Sequence, residues 1–100
     1  MSKGWRGQWA LDREAAETIA VQALGFLASE PQRFARFLAL TGLELEDVRA
    51  RAGSPDLLAA VLGHLTGDES LLLTFAAETH IAPETIAPAL AILQGSPSEE

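Results

Sequence analysis

Apolar residues recur at steps of three and four along most of this chain, which is the spacing of amphipathic α-helices. The first apolar stripe starts at about Leu11, and its members are Ala16, Ile19, Ala20, Ala23, Leu24 and Leu27. Similar stripes predict further helices at about 30–41, 44–52, 55–66, 69–79 and 83–94. No segment shows the apolar–polar alternation of a half-buried strand. The pattern predicts an all-α fold: a single compact domain of five to six short helices at 11–94, between an N-terminal tail (1–10) and a C-terminal tail (95–100).

Residues typical of helix ends separate these stripes. Gly42 follows the second stripe, where a left-handed backbone is often needed. In GSPD, residues 53–56, the glycine ends one helix, the serine caps the next and the proline takes its first position. Asp68 is placed to cap the fifth helix, and Ser29 matches a capping box for the second. Pro88 lies inside the sixth predicted helix, and we expect it to bend or split that helix because proline removes a backbone hydrogen bond.

A segment of the chain returns in altered form 38 residues later, as FLALTGLELEDV at 37–48 and FAAETHIAPETI at 75–86. The same shift, without gaps, pairs identical residues at Leu24/Leu62, Gly25/Gly63, Leu27/Leu65, Phe37/Phe75, Ala39/Ala77, Thr41/Thr79 and Glu46/Glu84. We interpret the halves as two pseudo-repeated three-helix units, at about 20–52 and 58–90. Such units share one core because neither can bury all its apolar faces alone. The matched positions are packing and turn positions, so the repeat predicts architecture and places no chemistry.

Composition narrows the class of protein. The chain of 100 residues is 48% apolar and has no cysteine, which excludes disulfides and thiolate chemistry and is compatible with the cytoplasm. The first residues have no apolar run of a secretory signal, and no stretch is long enough to span a membrane. Net charge is −7, and every Lys and Arg lies in the first 51 positions. A nucleic-acid-binding protein usually carries a basic footprint, so this charge distribution disfavours nucleic acid as a partner.

Potential catalytic and metal-binding residues have simpler interpretations. His64 and His80 each precede an acid by four residues, but zinc needs at least three convergent ligands. Under the repeat, His64 replaces Phe26 at the edge of the core, and His80 replaces Gly42 at a helix end. Serine and threonine residues at helix ends, and acids in first turns, are best explained as caps. We therefore predict no catalytic residue, no metal and no cofactor.

Two features are candidates for interaction with another protein. Leu71 and Leu73 are surplus to the inward positions of a fifth helix that is apolar nearly all round, and burial at the centre of the fold is the favoured interpretation, with a homodimer or partner interface as the alternative. Trp5 and Trp9 belong to the N-terminal tail, where exposed indoles would be costly, so they either fold back onto the domain or bind a partner. A separate possibility is a basic face that contacts nucleic acid, formed by Arg33, Arg36, Arg49 and Arg51.

The segments QALGFLA, RFLALTGL and LLLTFA, with the spacing between them, give the chain a family resemblance over about residues 17–80. It resembles a family of small bacterial proteins known only as domain of unknown function 3572. The resemblance implies a compact helical protein of this length with no assigned activity, catalytic residue or cofactor. Together these observations predict a non-catalytic, cytoplasmic protein–protein interaction module that binds an unknown protein partner or self-associates.

Overall fold

The computed structural model describes residues 11–95, and every regular element in that range is helical. Six α-helices and one 3₁₀ turn follow each other along the chain: α1 (Arg13–Ala28), α2 (Pro31–Thr41), α3 (Leu45–Ala50), α4 (Pro55–Thr66), α5 (Glu69–Thr79), the 3₁₀ turn (Pro83–Thr85) and α6 (Ile86–Leu93). The prediction of an all-α domain is confirmed. The predicted tails, apart from Gly95, lie outside the described residues.

Side chains at the helix starts satisfy backbone N–H groups that have no partner within the helix. Asp12 accepts from the Ala15 N–H at 2.8 Å, Ser54 from the Leu57 N–H at 3.2 Å, and Asp68 from the Leu71 N–H at 3.2 Å. The predicted caps at positions 54 and 68 are confirmed. The predicted capping box at Ser29 is wrong: Ser29 has helical dihedrals at the end of α1, and its hydroxyl donates back to the Phe26 carbonyl at 2.8 Å.

The core lies where α1, α4 and α6 pack against one another. These helices supply most of the fully buried side chains, including Leu27 from α1, Leu58 and Leu65 from α4, and Ile86 from α6. Helices α2 and α5 flank this trio, and each buries one phenylalanine completely, Phe37 and Phe75 respectively. The short α3 contributes only Val48 to the described core.

Elements 38 residues apart occupy matching places in the backbone. Helices α1 and α4 end at positions 28 and 66, α2 and α5 run from 31 to 41 and from 69 to 79, and α3 and the 3₁₀ turn begin at 45 and 83. Local hydrogen bonds follow the same shift: Thr41 Oγ1 donates to the Phe37 carbonyl and Thr79 Oγ1 to the Phe75 carbonyl, both at 2.7 Å. Gly42 and His80 both end their helices in the left-handed conformation, with φ of 78° and 62°. The two segments that prompted the repeat therefore have equivalent local structure.

The correspondence is weakest in the third element of each half. Helix α3 is only about one and a half turns long. The matching segment of the other half is a 3₁₀ turn followed by α6, which contributes side chains to the core. The segment predicted as one helix is thus divided, but the division lies at Ile86 and not at Pro88. Pro88 falls in the first turn of α6, where its missing N–H would have no intrahelical acceptor. The proline therefore fits the helix without a kink at its own position.

Candidate functional site

Helix α5 lies at the edge of the domain, so the favoured interpretation of central burial is wrong. Phe75 is its only buried residue, and Leu71 packs partly against the core. Leu73 points away from the core and is 49% exposed. Its five flanking positions, Glu69, Ser70, Thr74, Ala77 and Glu78, are exposed as well. The two predicted interaction leucines thus have different surroundings: Leu71 lies at the edge of the core and Leu73 lies in solvent. Trp5 and Trp9 lie outside the described residues.

The four arginines of the proposed basic face have different surroundings. Arg33 is held against α1: its Nη1 donates to the Phe26 carbonyl at 3.3 Å, and its Cζ lies 4.1 Å from the centroid of the Phe26 ring. Arg36, one turn later on α2, lines a groove described below. Arg49 and Arg51 are exposed at the end of α3. Arg33 therefore already serves a packing role through a cation–π contact.

The halves meet at two aromatic contacts that are related by the 38-residue shift. In the first, which we call the closed junction, Phe26 of α1 meets Phe75 of α5, with ring centroids 5.3 Å apart and planes at 65°. In the second, the open junction, His64 of α4 meets Phe37 of α2, with centroids 5.2 Å apart and planes at 74°. Both are edge-to-face arrangements of the kind that aromatic quadrupoles favour. Position 26 and position 64 are thus the same place in the two halves, occupied by different side chains.

A groove of about 900 Å³ lies beside the open junction. Its walls come from α2, α4 and the start of α5, and it is lined by Arg36, Leu40, Thr41, Ala60, Gly63, His64, Gly67, Asp68, Glu69 and Ser70. We call it the α2/α4 groove. Leu40 stands at its edge and is 63% exposed, the largest exposed fraction among the large apolar residues described. An exposed apolar side chain in a groove is a better indicator of a binding site than one that stands alone on a flat surface.

Charged side chains of both signs lie along the α2/α4 groove. Arg36 approaches from α2, while Asp68 and Glu69 approach from the start of α5. Asp68 already accepts a backbone hydrogen bond as a helix cap, so its carboxylate has a fixed position. The groove can therefore hold a segment that presents an apolar side chain together with charges of both signs. It has no net preference for a simple anion because its acids outnumber its arginine.

His64 lies in the wall of the α2/α4 groove and is partly buried. Its Nε2 atom is inaccessible to solvent and has no hydrogen-bond partner among the described residues. Burial lowers the pKa of His64 below its usual value, nearby Asp68 acts in the opposite direction, and Arg36 adds to the decrease. The imidazole is consequently neutral at pH 7 and carries one unsatisfied ring nitrogen, which is an energetic cost to the fold.

The geometry does not assemble a metal site from the described part of the chain. No group of three or more His, Asp or Glu side chains there is arranged to hold an ion. His80 is exposed at the end of α5, in the left-handed position predicted for it. Among residues 11–95, no helix combines the length and apolar character that crossing a bilayer requires.

The α2/α4 groove was not predicted from the sequence, although a signal for it was present. Under the 38-residue shift, His64 is the one polar residue that replaces a large aromatic at the edge of the core. At that position the two halves carry side chains of different size and polarity. The same shift pairs Leu40 with Glu78, but Leu40 lies three residues after Phe37, a spacing that is compatible with burial, so the sequence did not indicate its exposure.

The fold and the groove define a small all-α domain with a mixed apolar and charged cleft between its two halves. The chain belongs to the family described as protein of unknown function (DUF3572), whose model matches residues 13–96. This match extends through α6, beyond the stretch in which the sequence motifs suggested the resemblance. No curated protein and no solved structure matches the chain.

Proposed function

We propose that the protein is a non-catalytic, cytoplasmic interaction module and that the α2/α4 groove binds a segment of a partner protein. The observation that carries the proposal is Leu40, a large apolar side chain that is 63% exposed at the edge of a groove of about 900 Å³. Arg36 on one wall and Asp68 on the other supply charges that select the partner and its orientation. The lack of cysteine in the chain is compatible with a reducing compartment.

The expected occupant is a short peptide segment with one apolar anchor between an acidic and a basic side chain. The apolar anchor would cover Leu40, while the acidic side chain would pair with Arg36 and the basic one with Asp68 or Glu69. Peptide segments of this kind bind through a few buried anchors, and the surrounding polar contacts mainly give specificity. The acids of the groove disfavour a purely anionic ligand such as a nucleic acid backbone.

A comparison of two leucine variants tests this proposal. Leu40→Asp places a charge at the edge of the α2/α4 groove, and Leu73→Asp places the same charge on the outer face of α5. Affinity capture from the native host, with wild type and both variants as bait, should recover a partner that Leu40→Asp loses and Leu73→Asp retains. Binding of the recovered partner to purified protein would then be measured by calorimetry. Retention by Leu40→Asp would refute the groove as the binding site.

Self-association is the second candidate, and it rests on Leu73, which is 49% exposed on α5. Leu71 contributes less than the sequence suggested because it already packs partly against the core. Sedimentation or light scattering of the purified protein at high micromolar concentration measures the oligomeric state directly. A dimer that Leu73→Asp dissociates supports this candidate, and a monomer at that concentration excludes it.

Nucleic acid binding through Arg33, Arg36, Arg49 and Arg51 is the alternative with least support. Arg33 is held by α1, so its guanidinium would have to leave the Phe26 ring to reach a phosphate. Salt-sensitive retention on DNA or RNA would favour this function, and absence of retention at about 50 mM salt would exclude it.

We also propose that the two halves are copies of one three-helix unit. The matching helix ends, the paired threonine hydrogen bonds and the two equivalent aromatic contacts support this interpretation. In this view the repeat is a packing device, and the binding surface arises where the two copies have diverged.

A further inference from the structure

The outward face of α1 carries an acidic strip with two adjoining shallow grooves. The grooves have volumes of about 440 and 320 Å³ and share the side chains of Glu14, Thr18 and Gln22. The first is bounded by Asp12, Ile19 and Ile81, and the second by Glu17 and Val21. Val21 is 52% exposed, and Ile19 and Ile81 are partly buried at the edge of the core. The strip therefore combines apolar floors with a row of carboxylates.

The strip has a negative charge that α1 itself does not balance. Asp12, Glu14 and Glu17 all line it, whereas the only basic residue of α1 is directed elsewhere. Arg13 reaches across to α6, where its Nη2 donates to the Ile92 carbonyl at 3.3 Å. A segment that covers this face must accordingly be basic and must carry large apolar side chains.

Residues 1–10 of this chain have that composition, and the described chain begins at Leu11 and Asp12, at one end of the strip. The segment MSKGWRGQWA contains Lys3 and Arg6, no acid, and both tryptophans of the chain. It leads directly into Leu11, which packs against the core, and Asp12, which caps α1. From Asp12 to Gln22 the helix rises ~15 Å, and ten extended residues span at most ~35 Å, so the segment is long enough to run back along the whole strip.

We propose that residues 1–10 dock in cis on the acidic strip of α1. The order of the chain assigns the places: Trp9 lies in the groove beside Ile19 and Ile81, Trp5 in the groove beside Val21, and Lys3 and Arg6 oppose Glu14 and Glu17. Each indole buries a large apolar area against a floor that is otherwise open to water. The docked segment covers the strip, which is a surface that binds basic, aromatic segments and repels acidic ones.

The tryptophans give a direct test because the chain contains no other tryptophan and no tyrosine. Fluorescence of the full chain therefore reports only on residues 1–10. We expect an emission maximum at shorter wavelength than in a synthetic peptide of residues 1–10, and quenching by acrylamide that is several-fold weaker. Emission and quenching equal to those of the free peptide would overturn the proposal.

A matched pair of charge variants separates docking from general charge effects. The double variant Glu14→Lys and Glu17→Lys reverses the strip, and Glu78→Lys with Glu84→Lys makes the same change in net charge on exposed positions of the other half. Only the first should bring the emission and quenching to the values of the free peptide, while far-ultraviolet circular dichroism shows that both variants stay helical. Equal fluorescence in the two double variants contradicts docking on the strip.

Single-tryptophan variants test the assigned places. Val21→Asp should expose Trp5 in a Trp9→Phe background and leave Trp9 protected in a Trp5→Phe background. Equal exposure of both indoles by Val21→Asp would refute the assigned order. Protection must also persist on dilution over two orders of magnitude, because intramolecular docking does not depend on concentration. Loss of protection on dilution would refute docking in cis and indicate exchange of the segment between copies.

Discussion

The closed and open junctions use one geometry to produce two different surfaces. At the closed junction, Phe26 is buried and Arg33 covers its ring from α2. At the open junction, His64 is smaller and polar, the position that matches Arg33 is Leu71, and a groove of about 900 Å³ lies alongside. The comparison shows that two positions 38 residues apart make the same kind of aromatic contact, although only the contact at His64 borders this groove.

Exchanging Phe26 and His64 tests the comparison, and we expect the largest change in stability at the closed junction. Phe26→His places a polar ring where the structure offers it no partner, beside the guanidinium of Arg33. We expect the free energy of unfolding to fall by about 2–3 kcal/mol, from lost apolar burial and an unsatisfied nitrogen. Chemical denaturation measures the change, with Leu73→Ala on the exposed face of α5 as a control that should be nearly neutral. A loss no greater than that of the control would mean that the two junctions are already equivalent.

The reverse exchange should stabilise the protein. His64→Phe removes the buried Nε2 that has no partner and keeps an aromatic ring against Phe37 with a larger apolar surface, so we expect a gain of about 1–2 kcal/mol. In a domain of this size, 1 kcal/mol raises the melting temperature by about 4–8 °C. The same variant should lower the affinity of any partner that binds the α2/α4 groove. A decrease in stability would contradict the assignment of the unpartnered Nε2 as a cost to the fold.

The two left-handed helix ends offer a smaller test of the same kind. Gly42 adopts φ of 78° without strain, whereas His80 holds a similar conformation at 62° despite its side chain. His80→Gly should therefore raise the free energy of unfolding by about 0.5–1 kcal/mol, and Gly42→Ala should lower it by a similar amount. Thermal unfolding of both variants checks the pair. Changes of the same sign in the two variants would contradict the equivalence of the helix ends.

The pH dependence of stability should show the smallest difference between the junctions. Burial lowers the pKa of His64 in the folded state, so the unfolded chain binds a proton more readily as the pH falls below about 6.5. The contribution of His64 to stability is thus fully present above that value and is lost as the pH falls toward the lowered pKa. Unfolding curves of wild type and His64→Phe between pH 5 and 7.5 should diverge on the acid side. Parallel curves would indicate that the His64 pKa is unchanged by folding.

The sequence predicted the backbone far better than the surface. Helix ends such as Gly42, Ser54 and Asp68 were readable because each depends on one residue and its immediate neighbours. Ser29 misled because a serine between two helices can serve either end, and the choice depends on its dihedrals. The prediction for Pro88 was wrong because it assumed a helix that starts at Pro83. The helix starts at Ile86, three residues later, so Pro88 lies in its first turn.

Burial of α5 and the α2/α4 groove depend on distances between helices, which no single stripe encodes. An apolar run such as Leu71–Leu73 indicates a helix with a wide apolar face but does not say whether a neighbour covers it. The exchange of Phe26 for His64 was visible in the repeat, but its consequence required knowing that Phe37 and Phe75 lie opposite these positions. The sequence therefore contained one indication of the candidate site, the difference between Phe26 and His64. It contained no indication of the groove beside His64.

The central place of α6 has a consequence for synthesis on the ribosome. Ile86, Ala89 and Leu93 complete the core between α1 and α4, and Arg13 at the start of α1 is tied to Ile92 near the end of α6. A nascent chain that stops before residue 86 leaves exposed those parts of the apolar faces of α1 and α4 that α6 covers in the folded domain. The domain can close only when nearly all of it has left the exit tunnel, so its earlier helices depend on the final one for protection from aggregation.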